Sequence, residues 1–136
     1  MSPDAMLVTL AMRQLAHTAD TDALAEALVA EARSWDEVTW AIGIAYREGS
    51  NRLGVVGDQG RALCTYQLHR APRAVLTDAR LCTRIALERL RASARLCPAA
   101  PLAAYAGRPC GSEGAGLVSR DRWRIGLAAL RKVGGT

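Results

Sequence analysis

Residues 37–67, EVTWAIGIAYREGSNRLGVVGDQGRALCTYQ, join a helical pattern to a glycine-spaced one. Val38, Ala41, Ile42 and Ala45 recur at helical intervals and predict a helix that begins near Ser34 or Asp36 and runs to about Glu48. Gly49-Ser50-Asn51 supplies its stop. From Leu53 to Ala62 the period changes, because Gly54, Gly57 and Gly60 fall three apart around Val55-Val56, which reads as a loop or a small hairpin. Glu48 stands at the junction. It continues the side of the helix that carries Ala41 and Ala45, so an acid follows an apolar stripe at the negative end of the helix dipole. Apolar flanks and the dipole both favour a carboxyl that keeps its proton, as a proton donor near neutral pH requires. The competing reading is a glutamate turned to water or paired with Arg47 or Arg52.

Outward from this stretch the chain reads as helical. Leu7, Leu10, Ala11 and Leu15 form a first stripe, with Ser2 as cap and Pro3 in the first turn. The polar run from His17 to Asp22 separates it from a second helix, in which Leu24, Ala27, Leu28 and Ala32 share a face. On the C-terminal side, a short helix is predicted around Cys64 to His69. The longest helix is expected from Thr77-Asp78 to about Leu96, where Cys97-Pro98 ends it. A short helix from Pro98 or Pro101 to Ala106 and a glycine-rich loop from Gly107 to Gly116 follow. Ser119 is then expected to cap a final helix with Trp123, Leu127 and Leu130 facing inward. The expectation is a mostly α single domain spanning residues 1–136, with six or seven helices and one glycine-rich excursion after the third.

Composition narrows the function classes. At 136 residues, 50% hydrophobic and 23% charged, the chain is long enough for one ordinary core and unlike a disordered tail. No apolar run approaches the ~20 residues that span a bilayer. Asp4 stands where a secretory leader needs a basic start, so no standard signal is read. Eighteen basic against thirteen acidic residues give +5, and seventeen of the eighteen are arginine. That balance suits a polyanionic partner, whether nucleic acid, an anionic membrane face or a bacterial cell-wall polymer.

The order of four segments is more specific. Glu48-Gly49-Ser50 is followed by Gly57-Asp58-Gln59-Gly60-Arg61-Ala62, then Tyr66-Gln67, then Ala104-Tyr105-Ala106-Gly107. Over roughly Trp35 to Gly111 this set resembles the lysozyme-like superfamily, specifically the goose-type lysozymes and soluble lytic transglycosylases. There a catalytic Glu ends a buried helix and is usually followed by Ser. A G-D-x-G loop, a G-L-M-Q-like segment lining the sugar groove and an A-Y-N-x-G segment come after it. The departures are Gly49 for the Ser, Cys64 and Thr65-Tyr66 for the G-L-M, and Ala106 for the Asn.

The resemblance implies a lysozyme-like fold and a glycosidase that cleaves the β-1,4 bond between N-acetylmuramic acid and N-acetylglucosamine in peptidoglycan strands. Glu48 would be general acid and base, Asp58 would position a water if the reaction is hydrolytic, and Gly60, Tyr66, Gln67 and Tyr105 would line the groove. Asp58 as a turn cap, and the two tyrosines as simple core, are the competing readings. Two further functions stay open, a catalytically inactive wall-binding or structural domain and, ranked below it, a basic helical nucleic-acid-binding module, so the expected partner is the glycan strand and not nucleic acid. No cofactor or metal is expected, since there is no C-x-x-C pair and Cys64 with His69 lacks ligand spacing. The protein is expected to be a monomer acting on the cell wall, as a phage endolysin or an exported enzyme does.

Cys82 and Cys97 bracket one predicted helix about 22 Å long and cannot pair. This leaves Cys64–Cys82 with Cys97–Cys110, or Cys64–Cys97 with Cys82–Cys110. The first is preferred, because Cys97–Cys110 closes a short loop holding Tyr105 beside the cleft. Four free thiols is the alternative in a reducing compartment. His17 and His69 both read as surface or satisfied residues rather than catalysts, with the border of the groove as the alternative place for His69, two after Gln67. Trp35, Trp40 and Trp123 read as packing, and Arg80, Arg84, Arg89, Arg91 and Arg95 as a solvated helix face.

Overall fold

The structure, a computed structural model, describes residues 3–134, which leaves the expected Ser2 cap outside the described residues. Helices α1 (Pro3–Leu15) and α2 (Thr21–Glu31) lead into α3 (Trp35–Gly49). A small antiparallel sheet of β1 (Val56–Gly57), β2 (Ala62–Leu63) and β3 (Leu68–His69) follows, and then α4 (Ala79–Leu96) and α5 (Glu113–Gly134). The protein is therefore mostly helical, with five α-helices among the described residues, fewer than the six or seven expected.

Helix α3 starts as its sequence directs. Ser34 accepts from the Glu37 amide at 3.2 Å, and the Glu37 carboxylate reaches back to the Arg33 amide at 2.9 Å. This is a capping box displaced by one residue. At the other end Ser50, not Gly49, takes the left-handed conformation, with φ 51°. The exit is pinned, because the buried Asn51 amide donates to the Met12 and Ala16 carbonyls and Asp20 accepts from the Leu53 amide. Glu48 thus sits on a helix end tied to α1 and to the α1–α2 turn.

Helix α5 crosses α3 antiparallel and touches it backbone to backbone. A Cβ at Gly43 would stand 1.9 Å from the Arg122 carbonyl oxygen, and one at Gly126 would stand 1.9 Å from that of Thr39. Only glycine permits this approach. It sets Arg47 against Asp121 and Glu48 against Arg122 one turn farther along.

Several sequence expectations give way here. The buried stripe of α1 is Val8, Ala11 and Met12, while Leu10 is exposed, so the stripe is rotated from the expected one. Cys64 to His69 is the β2–β3 hairpin and not a helix: Cys64 and Gln67 have positive φ, and Cys64 donates to the Val55 carbonyl. Pro98 to Gly107 is a chain of turns, in which the three-residue reach of the hydrogen bonds from Ala100 and Ala103 prevents a regular helix.

The longest helix is α5, not α4. Ser112 caps it through the Ala115 amide, so Gly114 and Gly116 are helical and Ser119 lies within it, accepting from the Leu102 amide at 3.1 Å. Its buried positions are the small residues Ala115, Ser119, Gly126 and Ala129, with Trp123 and Leu127 half-buried at the side. Trp40 and Trp123 pack at 5.0 Å between ring centroids, whereas Trp35 is exposed. The arginines of α4 are more than a solvated face. Arg80 and Arg84 share Glu31, and the half-buried Arg91 forks onto Glu37 while reaching the Glu31 carbonyl, which locks α4 to α2 and to the start of α3. The cysteines pair as Cys64–Cys82 and Cys97–Cys110, the preferred arrangement.

Candidate functional site

A groove of about 750 Å³ runs between the end of α3, the hairpin, the second half of α4, the 104–108 turn and α5. Glu48, Asp58, Tyr66, Gln67 and Tyr105, drawn from the four segments singled out in the sequence, all line it. Gly60 does not. It stands at the tip of the 58–60 turn with φ 89°, after Asp58 and Gln59 that also have positive φ, and its place there is conformational.

Glu48 reaches the groove with its side chain about one-third exposed (34%). The apolar surround expected for it is interrupted by a cation, since Oε1 accepts from the Arg122 guanidinium, itself 16% exposed and also bonded to Asp121. Among the described residues, Oε2 makes no hydrogen bond. Neither Arg47 nor Arg52 is the partner, because Arg47 goes to Asp121. The i,i+4 logic of one helix could not find Arg122, 74 residues away on α5; the glycines at 43 and 126 were the only sequence trace of that contact.

On the hairpin Asp58 faces His69, with Oδ2 and Nε2 3.4 Å apart and both side chains about half exposed. The turn thus presents an imidazole–carboxylate pair to the groove. Gln67 donates from Nε2 to the Cys64 carbonyl at 3.0 Å, and its amide oxygen points at Gly57, where a Cβ would stand 2.2 Å from Oε1. A side chain at 57 would have to displace the Gln67 amide.

The two tyrosines have different places. Tyr66 forms part of the groove wall but is fully buried, so it has no open ring face to offer a sugar. Burial pushes its phenol far above the ordinary value, with the Thr83 hydroxyl opposing. Tyr105 is half-buried, and its hydroxyl donates to the Tyr66 carbonyl at 2.8 Å while its amide donates to Ser93 Oγ at 3.0 Å. Burial, then the Tyr66 and Glu48 charges, raise the Tyr105 phenol as well, and Arg89 opposes them. Both phenols stay protonated at any working pH, so Tyr105 is a pillar between the 104–108 turn and the hairpin. No group of three or more His, Cys, Asp or Glu side chains suited to a metal ion occurs among the described residues.

Comparison with protein families, with curated proteins and with solved structures returned no match for the chain.

Proposed function

We propose that the protein is a peptidoglycan-cleaving glycosidase with a lysozyme-like arrangement, in which Glu48 is the general acid and base. One observation carries this reading. The segments that resemble the goose-type lysozymes and soluble lytic transglycosylases lie far apart in sequence, yet Glu48, Asp58, Gln67 and Tyr105 line one groove of a size suited to sugar rings. Cleavage needs a proton on the leaving oxygen as an oxocarbenium-like centre develops. Glu48, at the end of a helix held at both termini, supplies it in its protonated form, through Oε2, or through Oε1 once substrate displaces Arg122. The same carboxylate then serves as base. If the muramic acid C6 hydroxyl is the nucleophile, it gives its proton to Glu48 and a 1,6-anhydro ring forms, with no second carboxylate. If water is the nucleophile, Asp58 beside His69 is the acid placed to hold it.

A second reading rests on the ion pair itself. With Oε1 held by Arg122, the groove also suits a domain that binds glycan strands without cutting them. Mass spectrometry of purified peptidoglycan after incubation with the protein separates these readings, since intact, hydrolysed and anhydro muropeptides differ in mass. Release of either product supports the glycosidase; wall binding with no release leaves the inactive domain.

A further inference from the structure

The charges along the groove are not balanced. Its acids are Glu48 on α3 and Asp58 on the hairpin, and each has a basic partner in place, Arg122 and His69. Two more arginines line the same groove, Arg89 from α4 and Arg108 from the turn closed by Cys97–Cys110. Among the described residues neither guanidinium makes a hydrogen bond or ion pair, although most of the other arginines of α4 are committed to Glu31 or Glu37. Arg89 is half-buried, its neighbours along the groove include the apolar Ala92 and Leu96, and its charge acts on the Tyr105 phenol, as that of Glu48 does. Arg108 lies against the first turn of α5, with Nη1 3.0 Å from where a Cβ of Gly114 would stand, so the absence of a side chain at 114 gives the guanidinium its seat.

A half-buried cation without a counter-charge costs free energy that a bound anion recovers. A neutral glycan cannot supply that anion. We infer that Arg89, assisted by Arg108, binds a carboxylate carried on the substituents of the glycan and makes the groove selective for acidic over neutral β-1,4-linked amino sugars. The inference rests on the glycosidase reading and names the substrate class of that same groove. Two sources offer the carboxylate, the lactyl ether of the muramic acid and the stem peptide attached to it. Both present the planar, two-oxygen acceptor that matches a guanidinium fork.

The test uses three tetrasaccharides of alternating N-acetylglucosamine and N-acetylmuramic acid. One has free lactyl carboxylates, one has the lactyl groups capped as methylamides, and one carries stem peptides. Affinities are measured by calorimetry for the wild type, Arg89→Gln and Arg108→Gln, with thermal melts confirming that each variant is folded. The wild type should bind at least one charged ligand about tenfold or more tightly than the methylamide. That ratio should fall toward one in Arg89→Gln and partway in Arg108→Gln. Preference for the free-lactyl ligand places the carboxylate on the sugar, and preference for the peptide-bearing ligand alone places it on the peptide. A wild type that binds all three equally, yet releases muropeptides from walls, overturns the arginine assignment and leaves the glycosidase standing. A preference that survives in Arg89→Gln overturns it too. A wild type that binds none of the three and releases nothing removes both readings.

Discussion

Gly49 is pressed against Thr65. A Cβ at position 49 would stand 2.5 Å from the Thr65 Cα, 2.6 Å from its carbonyl oxygen and 2.7 Å from its hydroxyl. The residue after the acid is glycine because the hairpin occupies the space a side chain would need, and the Thr65 hydroxyl, donating to the Ala45 carbonyl at 2.8 Å, is the polar group found there. The missing Ser and the Thr at 65, two departures from the resembled pattern, are thus one packing arrangement. Gly49→Ser should destabilise the fold by about 1–3 kcal/mol, as overpacking does. Adding Thr65→Ala should return part of the loss, a coupling that a double-mutant cycle reads from melting curves. Additive effects would show that the clash is with the Thr65 backbone alone, which Thr65→Ala leaves in place.

Glu48→Gln keeps the size of the side chain and removes the proton it delivers. Wall lysis should fall at least ~10²-fold with the protein still folded. Arg122→Gln frees Oε1 without touching the acid, so lysis should persist at a rate far above that of Glu48→Gln. Wild-type lysis by Glu48→Gln removes the assignment of the acid.

The contrast between Glu48 and Arg122 marks what sequence could yield. Residues that act within one element were legible: the α3 boundaries through Ser34 and the apolar repeat, the α4 start at Asp78, the glycine-spaced excursion, and Glu48 at a helix end. The length of one helix excluded Cys82–Cys97 and left two pairings open, and the preferred one of the two is found. Contacts between distant elements left only faint marks. Gly43 and Gly126 signalled a backbone crossing, but single glycines inside helices read equally as breakers, and the same ambiguity hid the start of α5 behind Gly114 and Gly116. Cys64 to His69 looked helical because its apolar spacing fits either period, and the left-handed Cys64 and Gln67 decided otherwise. Ser119 has the residue type of a cap, but its hydroxyl serves the Leu102 amide from mid-helix.

Asp58 and His69 divide the two chemistries. If water attacks, Asp58→Asn should depress hydrolysis strongly, and His69→Ala should depress it less, since the imidazole 3.4 Å away steadies the carboxylate without replacing it. If anhydro sugars form, both variants should remain active and Asp58 acts as a turn residue. Product mass and rate, measured on the same digests, give the answer. Hydrolytic product formed at full rate by Asp58→Asn would exclude the water-positioning role.

The Glu37–Arg91 pair predicts the acid limit of stability. Burial alone would raise the Glu37 carboxyl, but the Arg91 guanidinium at 2.8 and 2.9 Å and the Arg33 amide outweigh it and hold it below its ordinary value. A carboxyl lowered in the folded state contributes stability that is fully present above the unfolded value, about 4.3, and lost as pH falls through the folded one. Glu31, lowered by Arg84 and Arg80, and Asp121, lowered by Arg47, act in the same direction. The melting temperature should therefore change little through these groups from pH 7 to about 5 and drop below about 4. Arg91→Met should lower it at pH 7 and make the acid drop shallower. An unchanged acid slope in that variant would take Glu37 out of the account.

The Cys97–Cys110 bond closes a loop with a sequence separation of 13, and constraining such a loop in the unfolded chain is worth about 3 kcal/mol. Its local effect is uneven. Tyr105 has two anchors of its own, to Tyr66 and Ser93, and Leu102 is held by Ser119, so the middle of the loop stays in place without the bond. Arg108 and Gly107 sit next to Cys110 and line the groove, and the Arg108 side chain is exposed, with its backbone held by one bond to the Ala103 carbonyl. Cys110→Ser should therefore lower the melting temperature, and it should weaken binding of an acidic glycan more than binding of its methylamide. Peptide mapping without reductant checks the pairing first, with a free Cys97 peptide or one joined to Cys64 counting against it. If Cys110→Ser weakens both ligands equally, the bond supports the whole groove and not the Arg108 side of it.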